Sequence, residues 1–162
     1  MLSVGLIVNP VAGIGGEVSL KGSDGSDLQQ KARAKGGVPR GGPRAQAMFD
    51  ALGETRHSFD WVTWSGGMGE RVLRNSTTGF RVLGQCSDPS SSEDTVNAAQ
   101  AMLAHKVDLL VFSGGDGTAR DLYRILGQTI PVLGIPSGVK MHSGVFATTP
   151  AAAANVLRLI AQ

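Results

Sequence analysis

With 162 residues, 15 Lys and Arg against 13 Asp and Glu, and 41% hydrophobic side chains, the chain has the size and composition of one soluble globular domain. A net charge of +2, with neither a sustained basic face nor an interleaved aromatic set, excludes a nucleic-acid footprint, and no apolar run nears the ~18 residues that span a bilayer. The single cysteine, Cys86, rules out an internal disulfide, and the opening MLSVGLIVNP lacks the charge and length of a signal segment, so a cytoplasmic setting is expected.

In chain order, the first strand is expected over residues 3–8, followed by a helix over 44–53, a strand over 59–64, a short helix over 68–74 and a strand over 80–84. A longer helix follows at 93–105. In it Val96, Ala99, Met102 and Leu103 share a stripe, and Ser91, three residues before Asp94, is placed to cap its start. The apolar strand 108–112, a helix over 119–126, a strand over 132–135 and a last helix over 151–160 complete the series. Short β-branched runs alternating with helical segments predict βα units, and therefore a three-layer, Rossmann-like α/β domain around a mostly parallel five-stranded sheet. Trp61 and Trp64, three apart in one strand, are read as core or edge packing rather than as a stacking platform.

Residues 14–43 break the pattern. They are glycine-rich and polar, and Lys31, Arg33, Lys35, Arg40 and the adjacent Arg44 crowd there. Such a stretch is too long for an ordinary strand-to-helix connection. It is read either as a mobile surface insertion or as a functional loop that closes over a ligand.

Open parallel sheets bind ligands beyond the carboxyl ends of their strands, where the strand order reverses. Three glycine-bearing loops are expected on that edge: NPVAGIGG from Asn9, SGGDGT from Ser113, and PSGVKMHSG from Pro136. Glycine removes the side chain that would hold a phosphate off the backbone, and it accepts the geometry in which successive N–H groups converge on an anion. Thr118, with Asp121 three residues on, resembles a capping box that would start a helix and aim its positive end at the second loop.

Asp116, among Gly114, Gly115 and Gly117, is the informative residue. A carboxylate beside bound phosphates repels them unless a cation bridges the two or the carboxylate orients a hydroxyl, and phosphoryl transfer needs both. The plainer alternative is a helix cap or an Asx turn. Asn9 before Pro10 is read as shaping a turn. Lys140 and His142 are either ligand contacts or an ordinary surface cation and a structural histidine. Neither G-x-x-x-x-G-K-[ST] nor an intact G-x-G-x-x-G is present, which disfavours a phosphate-loop NTPase and a standard dinucleotide-binding unit.

The segments NPVAGIGG, LKGSDG, DLLVFSGGDGTARDL and VLGIPSGVKMHSGVFATTPAAAA together resemble the ATP-NAD kinase family, in particular its acetoin-catabolism X-type branch. GGDGT alone is shared with diacylglycerol and sphingosine kinases; VKMHSGVFA joined to LKGSDG is more specific. The resemblance implies phosphorylation of the 2′-hydroxyl of the NAD adenosine ribose, with ATP or a similar donor and Mg2+. It assigns Asp116 as base or orienter of that hydroxyl and Gly114, Gly115, Gly117 and Thr118 as the phosphate-facing remainder. Asn9 becomes the support of the loop, and Lys21, Asp24, Lys140 and His142 become binding residues of the branch. It further implies that residues 1–162 correspond to the N-terminal domain without the mainly β domain that follows it in the family, so that this chain alone is expected to bind nucleotides without turnover. Small-molecule nucleotides are the expected partners, self-association stays open, and the rival readings are a diacylglycerol-type lipid kinase and a non-catalytic nucleotide-binding module.

Overall fold

The computed structural model describes residues 1–14, 26–137 and 141–162. Its elements run β1 (Leu2–Val8), α1 (Ser26–Ala34), α2 (Gly41–Leu52), β2 (Phe59–Thr63), α3 (Glu70–Ser76), β3 (Phe80–Val82), α4 (Ser92–His105), β4 (Leu109–Gly114), α5 (Asp116–Leu126), β5 (Val132–Pro136) and α6 (Pro150–Ile160). The strands form one sheet in the order β3-β2-β1-β4-β5, and every pairing is parallel. The chain starts in the middle, works outward to β3, and returns to the other side of β1. That reversal leaves a crevice between the loops that follow β1 and β4.

Alternation along the strands builds two cores. Val4, Leu6 and Val8 of β1 join Trp61, Leu109, Val111 and Ile135 beneath α2 and α6. Ile7 joins Val62, Leu110 and Phe112 on the other face, beneath α4 and α5. Both faces of the central strands are covered, which is why these segments read as nearly unbroken apolar runs. Each fully buried Leu, Ile or Val side chain contributes about 1.5–3 kcal/mol. The two tryptophans fall on opposite faces: Trp61 packs on Phe49 and Phe59, with ring centroids 4.8 and 5.7 Å away, and Trp64 sits with Met68 in the second core. Both serve packing, as their spacing suggested.

Several boundaries differ from the sequence reading. The stretch read as one long irregular excursion holds helix α1, whose Asp27 in the first turn and Lys31 and Arg33 in the last complement the helix dipole. Residues 15–25 of it lie outside the described residues. Helix α2 begins at Gly41, with Pro43 in the first turn, where the missing N–H costs nothing. Helix α4 starts where the Ser91 cap placed it, and Ser91 N donates to Asp94 Oδ2 at 2.8 Å. Its buried stripe is rotated slightly, to Thr95, Ala98, Ala99 and Met102.

Helix α5 begins at Asp116 rather than 119, because Gly115 is its N-cap. The expected Thr118–Asp121 capping box therefore does not form; Thr118 lies inside the first turn, and its hydroxyl is used elsewhere. At α6, Thr149 Oγ1 accepts from Ala152 N at 3.0 Å ahead of Pro150. Among the described residues no helix is long and apolar enough to cross a membrane.

Candidate functional site

The site grows from the carboxyl ends of β1, β4 and β5. β4 is buried throughout from Leu109 to Gly114 and delivers the chain to the edge with no freedom to shift. Gly114 must be glycine for lack of space: a Cβ there would stand 2.6 Å from Thr118 Oγ1. The turn closes tightly enough for α5 to begin at once, and Asp116 occupies its first residue, where the unpaired amides of the helix start favour a negative charge.

Asn9 ties the first loop to the second. Its Nδ2 donates to Thr118 Oγ1 at 3.1 Å, its own N–H donates to Ser113 O at 2.8 Å, and its Oδ1 accepts from Val11 N at 3.1 Å. Both sequence readings of Asn9, turn former and support of the second loop, are therefore realised by one side chain. Behind it Gly41 packs so closely that a Cβ would fall 2.0 Å from Asn9 O.

Two buried hydroxyls join these pieces to the third loop. Ser113 Oγ donates to Gly41 O at 2.7 Å and lies 3.0 Å from Ser137 Oγ, which donates to Gly114 O at 3.1 Å. The ends of β4 and β5 and the start of α2 are thus one hydrogen-bonded unit.

Asp116 reaches across to the third loop. Its Oδ2 accepts from His142 N at 2.7 Å, and its Oδ1 accepts from Ser143 N at 3.0 Å and from Ser143 Oγ at 2.7 Å. Burial works against the charged form, but the Ser143 hydroxyl, the two amides and the nearby His142 imidazole outweigh it and hold the carboxyl below its ordinary pKa. Asp116 is therefore a fixed anion. An ionised carboxylate has about four acceptor positions. The three bonds leave room for one more donor.

Of the residues singled out in the sequence, Asn9, Gly114, Gly115, Asp116, Gly117, Thr118 and the backbone of His142 are brought together here. The His142 side chain is exposed, so a buried structural role for it is excluded. Lys21, Asp24 and Lys140 lie outside the described residues. Ser143, Ser113 and Ser137 were missed. The hydroxyl beside His142 in the same loop was the signal available for Ser143, whereas the Ser113–Ser137 pair depends on which strands are neighbours. Among the described residues no group of three His, Cys, Asp or Glu side chains could hold a metal ion. Mg2+, however, commonly uses one or two carboxylates together with nucleotide phosphates, and a lone fixed Asp116 beside amide-rich loops fits that manner of binding.

Fold and edge together define a doubly wound α/β domain whose switch point combines a helix start, a glycine-aspartate loop and a supporting asparagine. The model of the ATP-NAD kinase N-terminal domain matches residues 4–162, and the chain belongs to that family of phosphotransferases. Comparison with curated proteins and with solved structures finds no match.

Proposed function

We propose that this domain takes part in transferring a phosphoryl group from ATP, or a similar donor, to the 2′-hydroxyl of the adenosine ribose of NAD, giving NADP. The observation that carries the reading is the position of Asp116: a fixed carboxylate at the start of α5, at the switch point, with one acceptor position left. In the reaction the bond from the terminal phosphorus to its bridging oxygen breaks and the shortened donor departs on that oxygen, while the bond from the ribose oxygen to phosphorus forms and the hydroxyl proton passes to solvent. A carboxylate held below its ordinary pKa is a weak base, so Asp116 orients the hydroxyl for in-line attack rather than storing its proton. Free amides at the start of α5 and the Gly114–Gly117 backbone face the phosphates. Mg2+, when bound with the nucleotide, supplies neutralisation of the charge on the transferring group.

Within the family, VKMHSGVFA and LKGSDG favour the acetoin-catabolism X-type branch, and they make Lys21, Asp24, Lys140 and His142 candidates for nucleotide contact. The test is NADP formation from NAD, ATP and Mg2+ by the full-length protein, wild type and Asp116→Asn, alongside calorimetric binding of each nucleotide. Turnover that collapses in the variant while binding persists supports the reading. Phosphorylation of diacylglycerol in place of NAD, or nucleotide binding with no transfer under any donor, sinks it.

A further inference from the structure

The sheet edge does not end at β1. The loop that follows β2, Ser65-Gly66-Gly67-Met68-Gly69, is a fourth glycine-bearing turn on the same side of the sheet, and it leads directly into α3. Leu6 pairs with Thr63 on one side of β1, and Val8 pairs with Ser113 on the other. Continued past the strand ends, those registers set Gly67 and Gly115 on either side of Pro10. Two strand spacings then separate them, about 10 Å. The packing agrees with this placement. A Cβ on Gly67 would stand 3.3 Å from Pro10 Cβ and 3.6 Å from Arg71 Nη1. The Arg71 guanidinium therefore lies over the bare backbone of Gly67, beside the residue that follows Asn9.

The charge of Arg71 is felt by the adjacent Glu70, but among the described residues no carboxylate holds its guanidinium in an ion pair. Glu70 is engaged by Arg74 and by Gly66 N at 2.8 Å. The Arg71 side chain is exposed. An arginine poised over a glycine, facing an edge that already offers helix-start amides, matches the planar, multi-donor recognition of phosphate.

We propose that Arg71 is a phosphate-binding residue of this edge, its guanidinium engaging a phosphoryl group of the nucleotide that lies over the Gly66–Gly67 backbone. The inference rests on the phosphotransferase reading above. It goes further by extending the anion-binding edge to the β2 side and assigning a residue to it. The phosphoryl group belongs either to the donor's polyphosphate chain or to the pyrophosphate of the dinucleotide.

Calorimetric titration of the chain with ATP and Mg2+, with NAD, and with inorganic tripolyphosphate separates the two sources. The variants are Arg71→Ala, Arg71→Lys and, as a control for loss of one positive charge elsewhere, Arg124→Ala, each checked for an unchanged thermal midpoint. Loss of a hydrogen bond to a charged group corresponds to about a tenfold or greater weakening. Arg71→Ala is expected to show it, Arg71→Lys part of it, and Arg124→Ala none. Weakening for ATP and tripolyphosphate marks the donor chain; weakening for NAD alone marks the dinucleotide pyrophosphate. Arg71→Ala affinities within about twofold of wild type for all three ligands, or an equal loss in Arg124→Ala, overturn the assignment. A wild-type chain that binds none of the three overturns the proposed function, and this inference with it.

Discussion

Asp94 and Asp116 are two carboxylates built in nearly the same way. Each sits in the first turn of a helix, each accepts both hydroxyl and amide hydrogen bonds from a loop, and each is held below its ordinary pKa despite the cost of burial. Asp94 takes Ser87 Oγ, Ser87 N and Ser91 N and closes the loop that precedes α4; its residue is only 5% exposed. Asp116 takes Ser143 Oγ, Ser143 N and His142 N, but it is only part-buried and stands at the switch point. A hydrogen-bonded, anionic carboxylate is therefore no sign of function in itself. What separates the two is where the sheet places them and whether an acceptor position remains within reach of a ligand.

The comparison breaks most sharply on substitution by the neutral isostere. In the full-length protein Asp116→Asn is expected to lower kcat for phosphoryl transfer by about 10²- to 10⁴-fold, the usual worth of a positioned acid-base or orienting group, with little change in nucleotide affinity. Steady-state kinetics and calorimetry on the same preparations check this. Turnover within a few-fold of wild type would reduce Asp116 to a second Asp94.

Asp94→Ala should act on stability instead. It strips the partner from buried donors at a helix start, a loss of about 1–3 kcal/mol, read as a lower midpoint in urea unfolding. Nucleotide affinity of the folded protein should not move. If affinity fell while stability held, the division between the two carboxylates would be wrong.

Ser143→Ala removes a single donor from Asp116 and leaves the amides of residues 142 and 143 in place. A hydrogen bond to a charged group is worth about 1.5–3 kcal/mol, so a loss of about tenfold or more in kcat is expected, with partial recovery in Ser143→Thr. No change in either variant would mean that the backbone alone holds the carboxylate.

The gentlest probe alters only pH. Both carboxyls have folded-state pKa values depressed below the unfolded value of about 3.9. The stability they contribute is complete above that value and is withdrawn as pH falls from it through the depressed folded pKa. Asp94, which accepts four hydrogen bonds against three for Asp116, should account for more of the acid slope. Unfolding free energies between pH 5 and 3 for wild type, Asp94→Asn and Asp116→Asn test this, and equal flattening in both variants would erase the distinction drawn from the hydrogen bonds.

Much of the architecture was legible in the residues. The apolar runs around Leu6, Val62 and Val111 announced strands covered on both faces, and Ser91 with Asp94 marked the start of α4 to within one residue. The start of α5 was not legible, because Thr118 followed by Asp121 imitates a cap; only the contact with Asn9, more than a hundred residues away in sequence, shows that its hydroxyl is already taken. Helix α1 was hidden by the glycines that flank it.

At the site the division follows distance along the chain. Local chemistry identified the GGDGT turn and Asp116, because glycine spacing and a stray carboxylate are visible in a few consecutive residues, and the family resemblance pointed to Asn9. The tether from Asp116 to Ser143, the Ser113–Ser137 pair behind it, and Arg71 over Gly67 beside Pro10 were decided only by the tertiary structure. The register of parallel strands sets which loops become neighbours, and that register is fixed by burying both faces of the sheet at once, a condition no single segment of the sequence contains.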